Sequence, residues 1–134
     1  MIEVKSQNAK VKSTTQNYKS DLKLRVVLYA LEVINFCDRL EKNQINRILV
    51  DQLIRSSTSI GANIIEAKSS SSRKDFIKFY EFSLKSANEA KYWFYLLRES
   101  KRGDFKQINE LLQETEEIAK ILGSSIITLK GKRF

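Results

Sequence analysis

Glu66 and Glu89 come nearest, by type and setting, to a chemical site in this chain. Along one helical segment Ser59, Asn63 and Glu66 recur at i, i+4 and i+7, with Gln52 on the same flank. Along the next, Phe82, Ser86 and Glu89 share a comparable flank. Both flanks border an apolar stripe, where half-buried polar atoms need partners. The pattern predicts a hydrogen-bond network, between helices or between subunits, that fixes register. The competing chemistry is a Glu66–Glu89 carboxylate pair that binds a cation or works as acid and base.

The remaining inventory speaks against an enzyme. The chain has no histidine, so the commonest general base and metal ligand is missing. A single cysteine, Cys37, allows neither an internal disulfide nor a thiolate metal cluster. No phosphate-binding glycine loop, nucleophile elbow or dinucleotide turn occurs. The expectation is a protein with no catalytic residues, no metal and no cofactor.

Phosphate recognition is the other chemistry on offer. The net charge is +8, and most of the excess sits at the ends. Residues 1–19 hold four lysines against one glutamate, and residues 130–134 hold Lys130, Lys132 and Arg133 with no acid. Lys74, Lys78 and Lys85 share the solvent side of one helix, opposite Phe76 and Phe94. Lys68, Arg73, Lys101 and Arg102 extend that surface, and such spacing can follow a phosphate backbone. Glu81 interrupts the lysine row, which keeps an ordinary solvated face as the rival reading. The run Tyr92-Trp93-Phe94-Tyr95 covers every side of one helical turn, more than a monomer can bury; base stacking is one use for it, and oligomer contact is the one predicted.

These side chains need helices to position them. Proline is absent and glycine occurs four times, too little punctuation for a sheet. At 134 residues and 42% hydrophobic content the chain suits one globular domain. Residues 1–19 lack a sustained period and read as a basic N-terminal arm. Ser20 and Asp21 offer N-cap chemistry before a first helix over 21–42, with Val27, Ala30, Leu31, Ile34 and Cys37 as its stripe and Leu28, Tyr29, Val33 and Phe36 widening it.

A second helix over 44–68 carries Ile45, Leu49, Leu53, Ser56, Ile60, Ile64 and Ala67. Gly61 inside it costs about 1 kcal/mol against alanine, and the small residues around it invite close approach of a neighbour. Ser72 caps a third helix over 73–101, with Asp75 at its third position. Gly103-Asp104 precedes a fourth over 105–129, with 130–134 as a basic tail. Four comparable lengths joined by short connections predict an all-α, antiparallel up-and-down four-helix bundle over 20–129. The wide apolar surface of the first helix predicts homo-oligomerisation.

Three segments carry a family likeness: Arg55 through Glu66 (RSSTSIGANIIE), Ser71 through Phe79 (SSRKDFIKF) and Ser86 through Glu89 (SANE). They resemble the four-helix-bundle family encoded in intervening sequences of bacterial 23S ribosomal RNA genes, to which the accessory variability proteins of diversity-generating retroelements are related. That family's serine, asparagine and glutamate-glycine fall here on Ser59, Asn63 and Glu66-Ala67, with alanine replacing glycine, so the helix should run slightly further. The resemblance implies a ring-like homo-oligomer, a pentamer. For the retroelement relatives it also implies a basic surface that engages nucleic acid and a reverse transcriptase partner.

The resulting expectation is a non-enzymatic, oligomeric protein that binds RNA or DNA, structured RNA foremost, through its basic surface and tails. The alternative is a protein-interaction scaffold without nucleic acid. One free cysteine, a polar lysine-bearing start and no apolar run near roughly 20 residues predict a cytoplasmic protein with no membrane segment.

Overall fold

Each helix begins where a short polar side chain takes up a backbone N–H that the first turn leaves unpaired. The computed structural model describes residues 21–131, arranged as α1 (Leu22–Arg39), α2 (Gln44–Lys68), α3 (Arg73–Glu99) and α4 (Phe105–Gly131). Asp21 accepts from the Leu24 N–H at 3.2 Å, Asn43 from Asn46 at 2.9 Å, Ser72 from Asp75 at 3.1 Å and Asp104 from Gln107 at 3.0 Å. The N-terminal arm, Ser20, Lys132 and Arg133 lie outside the described residues.

The helices form a four-cornered, up-down-up-down bundle. α2 and α4 each neighbour both α1 and α3, and the diagonal pairs do not pack together. The seams of α3 with α2 and α4 are the most extensive, and α1 is the most lightly held. The core is drawn from all four stripes, with Val33, Leu53, Ile60, Ala87, Phe94, Ile118 and Leu122 fully buried. Burying one such large aliphatic or aromatic side chain is worth about 2 kcal/mol. Gly61 meets the expectation of close approach: a Cβ there would lie 3.2 Å from Cγ2 of Val26, so α1 rests against its bare backbone. Ser83, fully buried on α3, donates to the Ile60 carbonyl at 2.8 Å and ties α3 to α2 at the same level.

Four details depart from expectation. α1 stops at Arg39, because Leu40 turns to an extended conformation and buries its side chain. α3 stops at Glu99, and Lys101 adopts a left-handed backbone with φ of 58°. The Arg102 N–H then bonds the Leu97 carbonyl at 2.8 Å and the Lys101 N–H that of Arg98 at 3.0 Å, the paired bonds of a Schellman cap. α4 runs to Gly131 rather than 129.

The fourth departure concerns α1. Its core face is Val26, Tyr29, Val33, Phe36 and Cys37, while Val27, Leu31 and Ile34 of the expected stripe are exposed by 43%, 51% and 38%. Both stripes repeat with the helical period, so periodicity cannot choose between them. Polar partners on α4 decide it. Arg25 reaches Glu114, and the Tyr29 hydroxyl meets Oγ1 of Thr115 at 2.6 Å.

Cys37 is buried, and burial pushes its thiol up to about 11, with Asp38 adding and Lys42 opposing. Its folded-state value lies above its ordinary one of 9.0. Its contribution is therefore complete below pH 9 and is lost as pH rises towards 11. Tyr29 and Tyr80 are raised by burial too, with the same sign. Denaturant midpoints measured from pH 8 to pH 11 are expected to fall less steeply in Cys37→Ala than in the parent. Parallel profiles would show that the thiol ionises as freely folded as unfolded.

Candidate nucleic-acid interface

The outward face of α3 is set by its inward one. With Tyr80, Ser83, Ala87, Ala90, Phe94 and Leu97 committed to the core, residues half a turn away must face solvent. Lys74, Lys78 and Lys85 are exposed there as expected. They span about 16 Å of helix at 1.5 Å per residue. Glu81, the acid in the row, is paired with Lys130 of α4 at 3.4 Å. Lys78 lies over the Phe82 ring at 5.7 Å, and Lys68 over Phe76 at 5.5 Å.

The other basic candidates divide between the two ends of the bundle. Lys68, Arg73, Lys74 and Lys130 gather where α2 ends, α3 begins and α4 ends. α1 also begins at that end, so both charged tails attach there. Arg73 serves the fold as well, donating to the Leu129 carbonyl. Lys101 and Arg102 lie at the opposite end. There Arg102 donates to the Asn46 side chain at 2.6 Å, and Asn46 in turn donates to the Glu41 carbonyl at 2.8 Å. These bonds brace a cleft of about 660 Å³ between the 40–43 and 100–104 connections. The basic set is thus one continuous strip from the tail-bearing end along α3, plus a separate pair at the far end.

The carboxylate pair does not form. Ser83 is level with Ile60, so in antiparallel helices Glu66 is level with about position 77 of α3. Glu89 stands twelve residues further on, about 18 Å away. The two carboxylates cannot share a cation or a proton. Among the described residues no cluster of acids, cysteines or histidines could hold a metal ion.

The register network within the chain also takes another form. Ser59 donates to the Arg55 carbonyl at 2.6 Å and Asn63 to that of Ser59 at 2.8 Å, both in their own helix. The side chains of Gln52, Glu66, Ser86 and Glu89 have no partner among the described residues. Serine and asparagine side chains within a helix can bond the carbonyl one turn back, and Ser59 and Asn63 do so here.

Register is instead fixed by residues that sequence reasoning passed over. Arg25, 5% exposed, grips Glu114 with Nε at 2.8 Å and Nη2 at 2.7 Å, and Nη2 reaches Glu117 at 3.0 Å. Hydrogen bonding to Glu114 raises its pKa above the ordinary arginine value. Thr115 passes its proton to the Leu111 carbonyl at 2.6 Å, so Tyr29 is the donor in the Tyr29–Thr115 bond. The available signal was Arg25 within the period of Leu22, Tyr29 and Val33, facing a helix with Glu114 and Thr115 side by side. The aromatic run divides as well. Phe94 is buried, Trp93 half-buried, and Tyr92 and Tyr95 exposed by 54% and 39%.

Among the described residues no helix is long and apolar enough to cross a membrane. No curated protein matches the chain. A solved structure does: a protein of unknown function from the S23 ribosomal protein family of Bacteroides thetaiotaomicron, 36% identical. The similarity covers 78% of this chain and 97% of that one, with a TM-score of 0.74. The profile of the family described as 23S rRNA-intervening sequence protein matches residues 21–124. That span runs from the α1 cap through most of α4 and includes the Ser59–Glu89 segments, so the chain belongs to the 23S rRNA-intervening sequence protein family.

Proposed function

We propose that this is a non-enzymatic, oligomeric nucleic-acid-binding protein whose ligand is structured RNA. The observation that carries the reading is topological. An up-and-down bundle brings the attachment points of both basic tails to the end where Lys68, Lys74 and Lys130 gather. From there Lys78 and Lys85 continue the charge along α3. A tract of this kind neutralises phosphates without reading bases. Assembly is supported by α1, whose exposed Val27, Leu31 and Ile34 lie diagonally across the bundle from α3. Copies joined through α1 leave the basic strip open. The pentameric ring rests on the family resemblance alone.

The test is a titration of a labelled folded RNA and a matched DNA duplex with the full chain across a salt series. Affinity is expected to fall log-linearly with salt, by about 0.7 to 0.9 in slope per phosphate neutralised. The triple variant Lys74→Gln, Lys78→Gln, Lys85→Gln is expected to flatten the slope by about 2 to 3. A chain trimmed to 21–131, which keeps α4 whole, reports the share carried by the tails. Salt-insensitive binding, or none by the full chain at low salt, overturns the reading in favour of a protein-interaction scaffold.

A further inference from the structure

We infer that the outward face of α3 holds unpaired nucleotides, with phosphates on Lys78 and Lys85 and bases stacked on the Phe82 and Tyr92 rings. This rests on the nucleic-acid reading above and names the kind of strand that the strip accepts. Lys78, Lys85 and Tyr92 follow each other at seven-residue intervals, and Phe82 stands between the two lysines. At 100° per residue the four fall within one stripe less than a quarter-turn wide. Cation and ring therefore alternate along a single line.

Phe82 and Tyr92 remain 44% and 54% exposed, although each has a half-buried ring beside it that could have drawn it inward. Phe82 makes an edge contact with Phe79, centroids 6.2 Å apart at 76°, and Tyr92 one with Trp93 at 5.0 Å and 68°. A T-shaped contact fixes a ring while leaving at least one of its faces uncovered. Tyr95 is different: its hydroxyl bonds Glu116 at 3.3 Å, so α4 already engages it, whereas the cation over the Phe82 ring, Lys78 at 5.7 Å, is itself one of the lysines of the stripe.

One acid borders the stripe and one lies within it. Glu81 is paired with Lys130. Glu89, between Lys85 and Tyr92, has no partner among the described residues, and its charge repels a phosphate at that level. Backbone contacts therefore end at Lys85, and Tyr92 holds the next base by its ring alone. Exposed rings interleaved with lysines match a single strand, whose bases are free to stack. A duplex turns only its sugar-phosphate surface and groove edges outward and gains nothing from them.

Fluorescence anisotropy with the full chain provides the test, using an adenine-rich RNA of about twelve nucleotides. The same strand is presented single, paired with its complement, and as an abasic backbone of equal length. The single strand is expected to bind at least about tenfold tighter than the other two, and Tyr92→Leu and Phe82→Leu to weaken it about five- to hundredfold each. Tyr92→Phe and Phe82→Tyr, which keep the rings, are expected to retain binding, with helicity by circular dichroism unchanged in all four. Equal affinity for the three probes, with only Lys78→Gln and Lys85→Gln weakening it, overturns the stacking and leaves phosphate binding in place. Leucine variants that alter oligomer size by light scattering without altering affinity overturn it in favour of a contact between copies. No binding of any probe removes both this inference and the reading beneath it.

Discussion

Arg25→Ala is expected to cost about 3 kcal/mol, a fall in thermal midpoint of roughly 12–15 °C for a domain of this size. A guanidinium that is 5% exposed has exchanged water for the Glu114 carboxylate and a share of Glu117. Removing it leaves Glu114, whose side chain is 22% exposed, without a counter-charge beside the α1–α4 seam. The figure sits at the low end of the range for broken buried pairs because Glu117 is 44% exposed and solvent screens that arm. α1 is also the most lightly held helix, so losing its fork bears directly on its docking.

Arg25→Met combined with Glu114→Leu should recover most of the loss, since the charged pair and its desolvation disappear together. α1 also presents Val27, Leu31 and Ile34 to solvent. The single variant should therefore lose the proposed assembly at temperatures below its unfolding, and its midpoint should depend less on protein concentration than that of the parent. Circular dichroism melts at two concentrations check both points. A cost below about 1 kcal/mol would class the contact with ordinary surface ion pairs.

What could be read beforehand follows from the range of each interaction. Caps are local: Asp21 and Ser72 announced themselves because the N–H they accept is three residues away. The expected span of α2, through Lys68, is the span observed. Helix ends set by tertiary contact were less legible. Nothing near Leu40 in sequence says that its side chain will bury beside Gly103 and stop α1.

The choice of α1's inner face was misread for the same reason. Two apolar stripes compete, and the deciding groups, Glu114 and Thr115, are more than 80 positions away. Glu66 and Glu89 looked like a pair because each lies on a comparable flank. Their separation depends on which residues of α2 and α3 stand level, which only the Ser83–Ile60 bond reveals. The lysine row was legible because exposure is the complement of a well-marked core. That its line continues through Phe82 and Tyr92 was hidden by assigning Phe82 to the Ser86–Glu89 flank and Tyr92 to a single aromatic run.

Gly103→Ala and Gly123→Ala are the same substitution with opposite expected signs. At Gly103 the backbone has φ of +85°, where a Cβ costs roughly 1–2 kcal/mol. The new methyl would also stand 2.9 Å from both Leu40 Cδ2 and Phe36 Cζ. Leu40 can yield through its rotamer, but Phe36 is 2% exposed and packed against Phe94 with centroids 6.0 Å apart. Overpacking there adds a further 1–2 kcal/mol or so, for a total near about 3 kcal/mol. The strain falls on the 40–43 and 100–104 connections, at the end far from the tails, so RNA affinity measured below the melting transition should hold.

Gly123 lies inside α4, and a Cβ there meets nothing within 4 Å. Alanine should stabilise the helix by about 1 kcal/mol. Urea midpoints at constant m-value measure both changes, and their difference of about 4 kcal/mol cancels errors of extrapolation common to the two variants. If the Gly103 variant loses no more than the left-handed backbone term, the ring of Phe36 has given way and that end of the core packs more loosely than its burial implies. If Gly123→Ala destabilises instead, something outside the chain occupies the space beside α4, and the contact surface of the proposed assembly extends beyond α1.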